Sequence, residues 1–355
     1  MPPSSLSRRL QPLVSPSLLD FWAAQVNPAW SWDRPLARVV SRHIESRDAV
    51  TLVLKPNRHF AGFRSGQHVN VTAEVGGTRI TRSYSPSAAP RADGLVEITV
   101  RHVDSGKLST QLCLRTKVGD VVEVGPAFGQ MTWPANAAGR WLFLAAGSGI
   151  TPLMSLIRSA PADAHIDLVY SAGRRGDLCF ADELRELSKR RENLSCHFLL
   201  TREAELDPGE HRGRANAALL QGLVPDLAAC RTYACGPSGF VAAMRELLHH
   251  CVAQFQAEAF TPTVIPHNVT GTVRVELARS GRTLELPAGE SLLSALEAQG
   301  IHPPHGCRMG LCNTCACEKL SGTTQNLLSG DTDAEPSSAL RICVSRAASD
   351  LRLDL

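Results

Sequence analysis

Residues 141–152 read W-L-F-L-A-A-G-S-G-I-T-P. An apolar run is followed by a turn that contains two glycines, and the apolar residues continue with helical spacing to Leu156. A buried strand that leads through a Gly-rich turn into a helix is the building unit of parallel α/β sheets. Glycines in such a turn let the backbone approach a phosphate, and the helix N-terminus supplies N–H donors. The stretch therefore predicts an α/β domain with a phosphate-binding turn, although many βα turns carry two glycines for structural reasons alone.

The alternation of strands and helices continues downstream of this turn. Apolar runs at 166–170 and 196–200 predict strands, and the helical pattern at 182–191 lies between them. At 233–240 the sequence Y-A-C-G-P-S-G-F forms a second junction of strand, glycine and helix. We assign residues 138–257 to this parallel-sheet domain.

The residues on either side of this domain follow other patterns. From 35 to 135, short β runs separated by Gly and Pro clusters predict an antiparallel β-barrel or sandwich. Residues 258–269 have no period and predict a linker. The last part, 270–355, begins with a predicted hairpin and a helix, which indicates a small α+β domain.

Four cysteines in the last domain have the spacing of metal ligands. Cys307, Cys312 and Cys315 are arranged as C-x4-C-x2-C, and Cys343 follows after a longer interval. This spacing is typical of plant-type [2Fe–2S] sites, in which four thiolates hold two irons. Zinc sites usually show two C-x2-C pairs or a set of Cys and His, and here the second pair is missing. Cys317 is interpreted as a buried neighbour of the four ligands.

Composition excludes several classes of protein. The 355 residues include 37 Lys plus Arg against 34 Asp plus Glu, which is too even a balance for binding nucleic acid by phosphate neutralisation. No apolar stretch approaches the roughly 18 residues of a membrane span. No secretory signal is evident, so we expect a cytoplasmic protein whose clustered thiols bind metal.

Residues 1–34 form a leader with a predicted helix at 17–26, which either folds on the first domain or binds a membrane surface or a partner.

Three sets of motifs carry a family resemblance. The sequence H-G-C-R-M-G-L-C-N-T-C at 305–315 resembles the β-grasp domain of plant-type ferredoxins. The two Gly-rich junctions resemble the pyridine-nucleotide domain of the ferredoxin–NADP reductase superfamily. In the β domain, R-S-Y-S-P-S at 82–87 resembles the flavin signature of that superfamily, and G-K-L-S-T at 106–110 resembles its phosphate loop.

The resemblance implies cofactors and roles for individual residues. It implies FAD, with FMN as the alternative, held by Arg82, Ser83, Tyr84, Ser85, Gly106, Ser109 and Thr110. It implies a dinucleotide held by Gly147, Gly149, Thr151, Arg174, Arg202, Cys235 and Gly236. Arg174 and Arg202 are cations that suit a 2′-phosphate, so we expect NADPH, with NADH possible if these arginines only face solvent. Tyr84, Ser85 and Glu258 are the implied catalytic residues, and Cys307, Cys312, Cys315 and Cys343 are the implied cluster ligands.

The combination predicts an electron-transfer enzyme. A nicotinamide donates two electrons at once and a [2Fe–2S] cluster accepts one, so a flavin between them is required. Together with N-P-A-W-S at 27–31, the motifs resemble reductase partners of bacterial fatty-acid desaturases. We therefore expect a membrane-bound di-iron desaturase as the acceptor and peripheral membrane association through it. The alternatives are a soluble mono- or dioxygenase as acceptor, or a redox sensor that does not turn over.

Overall fold

The computed structural model describes residues 16–260 and 271–355 of the chain. The chain divides into two compact units, and the division follows Glu258. The first 15 residues of the predicted leader and residues 261–269 of the predicted linker lie outside the described residues. Glu258, which the sequence places in the linker, lies instead in a strand that spans Gln254–Ala259.

The first unit opens with a six-stranded antiparallel sheet, as predicted for residues 35–135. Its strands pair in the order β4-β3-β6-β1-β2-β5. They are β1 (Leu36–Ser46), β2 (Ala49–Pro56), β3 (His68–Val75), β4 (Thr78–Tyr84), β5 (Val96–Arg101) and β6 (Val121–Phe128). Alternate apolar residues such as Val39, Leu52 and Ile98 are fully buried, because successive side chains in a strand point to opposite faces.

The pairing of β3 with β4 arranges the motif at 82–87. Val69 lies opposite Tyr84 and Asn70 lies opposite Ser83, so the polar and aromatic positions of the motif are separated onto two faces of the hairpin. On the polar face the Ser83 hydroxyl donates to Asn70 Oδ1 at 2.7 Å.

A second sheet in the same unit is built from the predicted alternation of strands and helices. Its order is β10-β9-β8-β7-β11-β12, and the pairs from β10 through β11 are parallel. The strands are β7 (Gly139–Ala146), β8 (Ala164–Ala172), β9 (Leu194–Leu200), β10 (Glu210–Arg212), β11 (Arg231–Gly236) and β12 (Gln254–Ala259). β7 is buried from Trp141 to Ala146, as expected for a strand that is covered on both faces.

Helices connect these strands and precede the first sheet. They are α1 (Pro16–Val26), α2 (Lys107–Thr110), α3 (Ile150–Arg158), α4 (Ala181–Arg190), α5 (Ala217–Leu223) and α6 (Ser238–Leu248). A π-helical turn, Gln111–Arg115, continues α2. α1 begins one residue before the predicted helix.

The described part of the leader folds onto the first sheet. The Asn57 side-chain amide donates to the carbonyl oxygens of Ala29 and Arg34, at 3.1 and 2.9 Å. Asp20 accepts hydrogen bonds from the Ser31 hydroxyl and the Trp32 N–H. Across residues 16–260 and 271–355, the helices are all too short or too polar to cross a bilayer.

The second unit contains a five-stranded and a three-stranded sheet around one helix. The larger sheet has the order β14-β13-β20-β15-β18, and the smaller has the order β17-β16-β19. The elements are β13 (Thr272–Leu277), β14 (Arg282–Pro287), α7 (Leu292–Ala298), β15 (Ala316–Ser321), β16 (Thr324–Asn326), β17 (Thr332–Asp333), β18 (Ser337–Arg341), β19 (Ser345–Ala347) and β20 (Leu351–Asp354). α7 buries Leu292, Leu293 and Leu296 against the larger sheet, and the cysteine loop follows it.

Candidate functional site

A chain of three buried polar side chains crosses from the first sheet to the second within the first unit. Ser85 Oγ lies 2.7 Å from Nδ1 of His68, and the other ring nitrogen of His68, Nε2, contacts a carboxylate oxygen of Glu258. All three side chains are buried, with His68 only 1% exposed. Because a buried carboxylate is costly unless it is hydrogen-bonded, the imidazole both satisfies Glu258 and fixes the direction of the Ser85 hydroxyl.

The arginine and tyrosine of the motif lie on the opposite face of the β3–β4 hairpin from this chain. Arg82 is exposed, and one of its guanidinium nitrogens donates to the Thr81 carbonyl oxygen at 2.7 Å. Tyr84 is partly buried, and this burial raises the pKa of its phenol well above the usual value. The face therefore offers a neutral aromatic ring beside a cation, which suits an aromatic ring system that carries a phosphate.

The G-K-L-S-T segment folds into a tight turn at the start of α2. Ser109 is buried, and its hydroxyl donates to the Gly106 carbonyl oxygen and accepts from the Val103 N–H. A side chain at position 106 would come within 2.5 Å of Ser109 Oγ, so the turn requires glycine there. Thr110 is half-buried, with its hydroxyl 3.2 Å from a ring nitrogen of His102. The structure thus places Ser109 inside the turn and leaves the backbone and Thr110 as the groups nearest its surface.

The two Gly-rich junctions meet at adjacent ends of β7 and β11. Ala145 pairs with Cys235, and a side chain at Gly149 would lie 1.9 Å from the Cys235 carbonyl oxygen. Gly147 has φ +55°, and its carbonyl oxygen accepts from the Tyr170 hydroxyl. Position 149 therefore requires glycine because the Cys235 backbone packs against it, and position 147 favours glycine because its backbone is in the left-handed conformation.

Further groups complete the surroundings of these junctions. Gly236 packs against Ala146, and the Thr151 hydroxyl donates to the Ser148 carbonyl oxygen within the first turn of α3. Cys235 is fully buried, and burial together with the Glu258 carboxylate raises the pKa of its thiol well above the usual range. This effect on the Cys235 thiol shows that the Glu258 carboxylate lies near the second junction.

Three arginines near the ends of β8 and β9 differ in their partners. Arg174 and Arg202 are exposed, and the Arg202 N–H donates to the Gly173 carbonyl oxygen, which brings the two segments together. Arg175 instead forms ion pairs with Glu210 and Asp207. The charge of Arg175 is therefore used within the protein, and Arg174 and Arg202 are the better candidates for binding a ligand phosphate.

The cysteine loop of the second unit directs hydrogen-bond donors at sulfur. Cys307 Sγ accepts from the N–H groups of Met309, Leu311 and Cys312 at 3.3–3.4 Å. Cys312 Sγ accepts from the Cys307 N–H and the Thr314 hydroxyl. Donors of this kind stabilise thiolate sulfur and are among the groups that set the potential of an iron–sulfur cluster.

The four thiols associate in two pairs. A hydrogen bond from Cys307 lowers the pKa of Cys312, and one from Cys343 lowers the pKa of Cys315. Within the described ranges, 16–260 and 271–355, there is no group of three or more His, Cys, Asp or Glu side chains arranged around one point as ligands of a single ion. Four cysteines that can each supply a thiolate fit a [2Fe–2S] cluster, in which two thiolates hold each iron. Cys317 lies outside both pairs, and its burial raises the pKa of its thiol to about 12.

Sequence reasoning missed His68 and Arg158. His68 has no motif of its own, and its place at the start of the strand that pairs with the motif becomes visible only with the strand register. Arg158, at the end of α3, donates to the Ser87 carbonyl oxygen and to Glu97 and Glu183. The helix that begins at the Gly-rich turn therefore ends against the flavin motif, a contact that sequence patterns do not show.

Comparison with known proteins gives the same three parts in the same order. Residues 36–133 match the family model described as oxidoreductase FAD-binding domain, and residues 143–246 match the oxidoreductase NAD-binding domain. Residues 275–348 match the 2Fe-2S iron-sulfur cluster binding domain. The cofactors are accordingly FAD, NAD(P)H and a [2Fe–2S] cluster.

Whole-chain relatives share this organisation. An NADPH oxidoreductase of Mycobacterium tuberculosis is 32% identical over 97% of this chain and 90% of the relative. The glycine betaine monooxygenase reductase subunit of Pseudomonas aeruginosa is 30% identical over 83% of this chain and 88% of the relative. The solved structure of phthalate dioxygenase reductase matches 90% of this chain and 97% of its own chain, with a TM-score of 0.60 and 26% identity. The chain is an NAD(P)H-dependent oxidoreductase, and it belongs to the three-domain reductases of the phthalate dioxygenase reductase type within the ferredoxin–NADP reductase superfamily.

Proposed function

We propose that this chain is the reductase component of a soluble oxygenase and supplies it with single electrons drawn from NADPH. The observation that carries the proposal is the presence, in one chain, of the buried polar chain, the dinucleotide junctions and the paired thiols of the cysteine loop. Relatives support the choice of acceptor, because those named as subunits serve oxygenases and demethylases. One of them is the heme-dependent oxidative N-demethylase beta subunit of Ectopseudomonas mendocina, which is 32% identical over 83% of this chain and 90% of the relative.

The membrane-bound desaturase expected from the sequence stays a prediction that these relatives do not support. The alternative of a redox sensor without turnover is disfavoured by relatives that are named oxidoreductases and reductase subunits. Peripheral membrane association likewise stays a prediction.

The residues of the site have separate tasks in this proposal. When bound, FAD and the [2Fe–2S] cluster convert a two-electron donor into a source of single electrons. Arg82 and Tyr84 would hold the flavin, and the turn at Gly106 would face its phosphates. Gly147, Gly149 and Gly236 let the backbone at the two junctions approach the dinucleotide. Each pair of cysteines would hold one iron of the cluster.

The buried chain of Ser85, His68 and Glu258 would handle a proton. A nicotinamide gives up a proton together with two electrons, and an acceptor of single electrons takes only the electrons. The remaining proton must therefore reach solvent. Ser85 can pass a proton to His68, and the contact of His68 with Glu258 stabilises the imidazolium that results. We assign proton transfer to Ser85 and His68, and Glu258 is a positioning residue that acts through His68.

The nucleotide preference follows from the exposed arginines. Replacing Arg202 with Ala should raise KM for NADPH by about tenfold, because an arginine–phosphate contact is charge-assisted, and should leave KM for NADH nearly unchanged. Arg212→Ala is the matched control, because its guanidinium is engaged by the carbonyl oxygens of Glu203 and Ala204. Equal changes in KM for both nucleotides in the Arg202 variant would remove Arg202 from the 2′-phosphate site.

The choice of acceptor is tested by fractionating extracts of cells that express this chain naturally. The holoprotein and NADPH are added separately to the membrane pellet and to the supernatant, and substrate-dependent NADPH and O2 consumption is recorded. Stimulation in the supernatant, with steady NADPH-driven reduction of cytochrome c by the holoprotein alone, is the expected result. Stimulation confined to the pellet would favour the desaturase, and a single stoichiometric reduction of cytochrome c would favour the sensor.

A further inference from the structure

Two histidines lie next to each other on β9 and β10, the two neighbouring strands at one edge of the parallel sheet, outside the redox site. His211 of β10 lies opposite Leu199 of β9, and His197 precedes Leu199 by two residues, so both imidazoles project from the same face of the sheet. Their ring centroids are 5.6 Å apart and the ring planes are inclined by 51°.

The Nε2 atoms of both rings are buried and lack a hydrogen-bond partner among residues 16–260 and 271–355. Buried polar atoms are nearly always satisfied, so each of these two nitrogens calls for a ligand, either a water molecule or an ion. Both residues are only half-buried as a whole, which leaves a route from solvent.

The separation of the rings suits a shared ion. With metal–nitrogen bonds of about 2.0–2.1 Å, two imidazoles on one ion place their ring centroids roughly 5–6 Å apart. Imidazole nitrogen is a preferred ligand of Zn²⁺, Ni²⁺ and Cu²⁺.

We propose that His197 and His211 bind one divalent transition-metal ion through their Nε2 atoms, with water in the remaining coordination positions. The site is separate from the cysteine loop, and the proposed electron transfer does not require it. No third protein ligand joins the pair in the part of the chain that the structure describes.

The ion would attach a short edge strand to the sheet. β10 has three residues, and on its other face the buried carboxylate of Glu210 accepts hydrogen bonds from Arg175 and Arg185. The connection from β9 to β10 contains Arg202. A metal that joins His197 to His211 therefore stabilises β10 and both ends of the segment that carries Arg202.

The test uses the holoprotein with flavin and cluster in place, so that the cluster cysteines are occupied. Equilibrium dialysis against Zn²⁺ alone, followed by metal analysis, should find one Zn²⁺ per chain in addition to the iron. His197→Ala and His211→Ala should each weaken this binding by at least about tenfold. Loss of a residue that merely orients a metal ligand already weakens metal binding by about 10- to 100-fold, and loss of a ligand should cost no less. Co²⁺ should give visible d–d absorption bands in the wild-type protein, and both variants should lose them.

The control variant is His249→Ala combined with His250→Ala, because the rings of these exposed neighbours have centroids 3.6 Å apart and are the obvious competing site. It should keep the bound Zn²⁺. Hydrogen exchange supplies a second readout, in which Zn²⁺ should slow exchange of the β10 amides in the control and not in either single variant. If His197→Ala fails to fold, Zn²⁺ binding by His211→Ala, a substitution on the edge strand, tests the proposal alone. Absence of Zn²⁺ binding, or equal binding by the wild-type protein and the His211 variant, would overturn the proposal and leave a water molecule between the rings.

Discussion

The cysteine loop and the buried polar chain achieve their geometry in opposite ways. In the loop, the donors that point at Cys307 and Cys312 come from the same short segment, residues 307–314. In the polar chain, His68 and Glu258 are 190 residues apart and meet only because two sheets pack together. The loop therefore depends mainly on its own sequence, whereas the polar chain depends on the packing of the first unit. Substitutions that test this difference should affect one region and leave the other unchanged.

The largest effect is expected from Cys312→Ser. Loss of one thiolate should prevent assembly of the [2Fe–2S] cluster, remove its visible absorption and abolish cluster-dependent electron transfer. Reduction of the flavin by NADPH should persist, because the polar chain lies in the other unit. Cys317→Ser is the matched control and should retain the cluster, since this buried thiol lies outside both pairs. Normal iron content in the Cys312 variant would remove Cys312 from the ligand set.

A smaller but substantial effect is expected where the flavin motif meets α3. Arg158→Met removes the partner of Glu97 and Glu183 from a site where the arginine is only 20% exposed. Its loss should lower the free energy of unfolding of the first unit by about 3 kcal/mol, near the lower end for breaking a buried ion pair. Denaturant unfolding followed by tryptophan fluorescence measures this change.

A surface ion pair provides the control for the Arg158 variant. Arg190 pairs with Glu186 on α4, and both side chains are largely exposed. Arg190→Met should change the free energy of unfolding by no more than about 0.5 kcal/mol. Equal destabilisation by the two variants would contradict the role of Arg158 in joining the two sheets.

The smallest of these effects concerns the rate of a single step. His68→Gln retains hydrogen bonding to Ser85 and Glu258 but cannot carry a proton at neutral pH. Reoxidation of the flavin should slow by roughly 10- to 100-fold, at or below the lower range for general acid–base groups, whereas its reduction by NADPH should be unchanged because hydride transfer carries its own proton. Stopped-flow absorption measures these rates, and iron content should be unchanged. His59→Gln, at another histidine of the unit that contacts a backbone carbonyl, should leave the rates unaltered. Wild-type rates in the His68 variant would show that the polar chain has only a structural role.

The same difference explains how far the sequence predicts the structure. The spacing of Cys307, Cys312 and Cys315 predicts a cluster because the ligands are neighbours in the chain. The antiparallel and parallel sheets can be predicted because the spacing of hydrophobic residues that indicates a strand or a helix is visible within a short stretch of sequence. His68 and Arg158 were missed because their partners are fixed by strand register and by packing between sheets.

Glu258 and Ser109 show where prediction from the sequence falls short. Glu258 was expected in a linker without period, but it lies in β12 at the edge of the parallel sheet, where strand pairing overrides the weak local pattern. Ser109 carries the resemblance to a phosphate loop, yet its hydroxyl bonds within the turn. A motif therefore fixes the backbone of a turn more securely than the direction of each hydroxyl.

The most direct test of the account is an anaerobic titration of the holoprotein with NADPH, monitored by visible absorption and by electron paramagnetic resonance. We predict that NADPH bleaches the flavin band, that the cluster band and the signal of a reduced [2Fe–2S] cluster follow, and that cytochrome c then reoxidises both. Flavin bleaching with no cluster signal at any NADPH concentration, or spectra that NADPH leaves unchanged, would contradict electron transfer from nicotinamide to the cysteine loop.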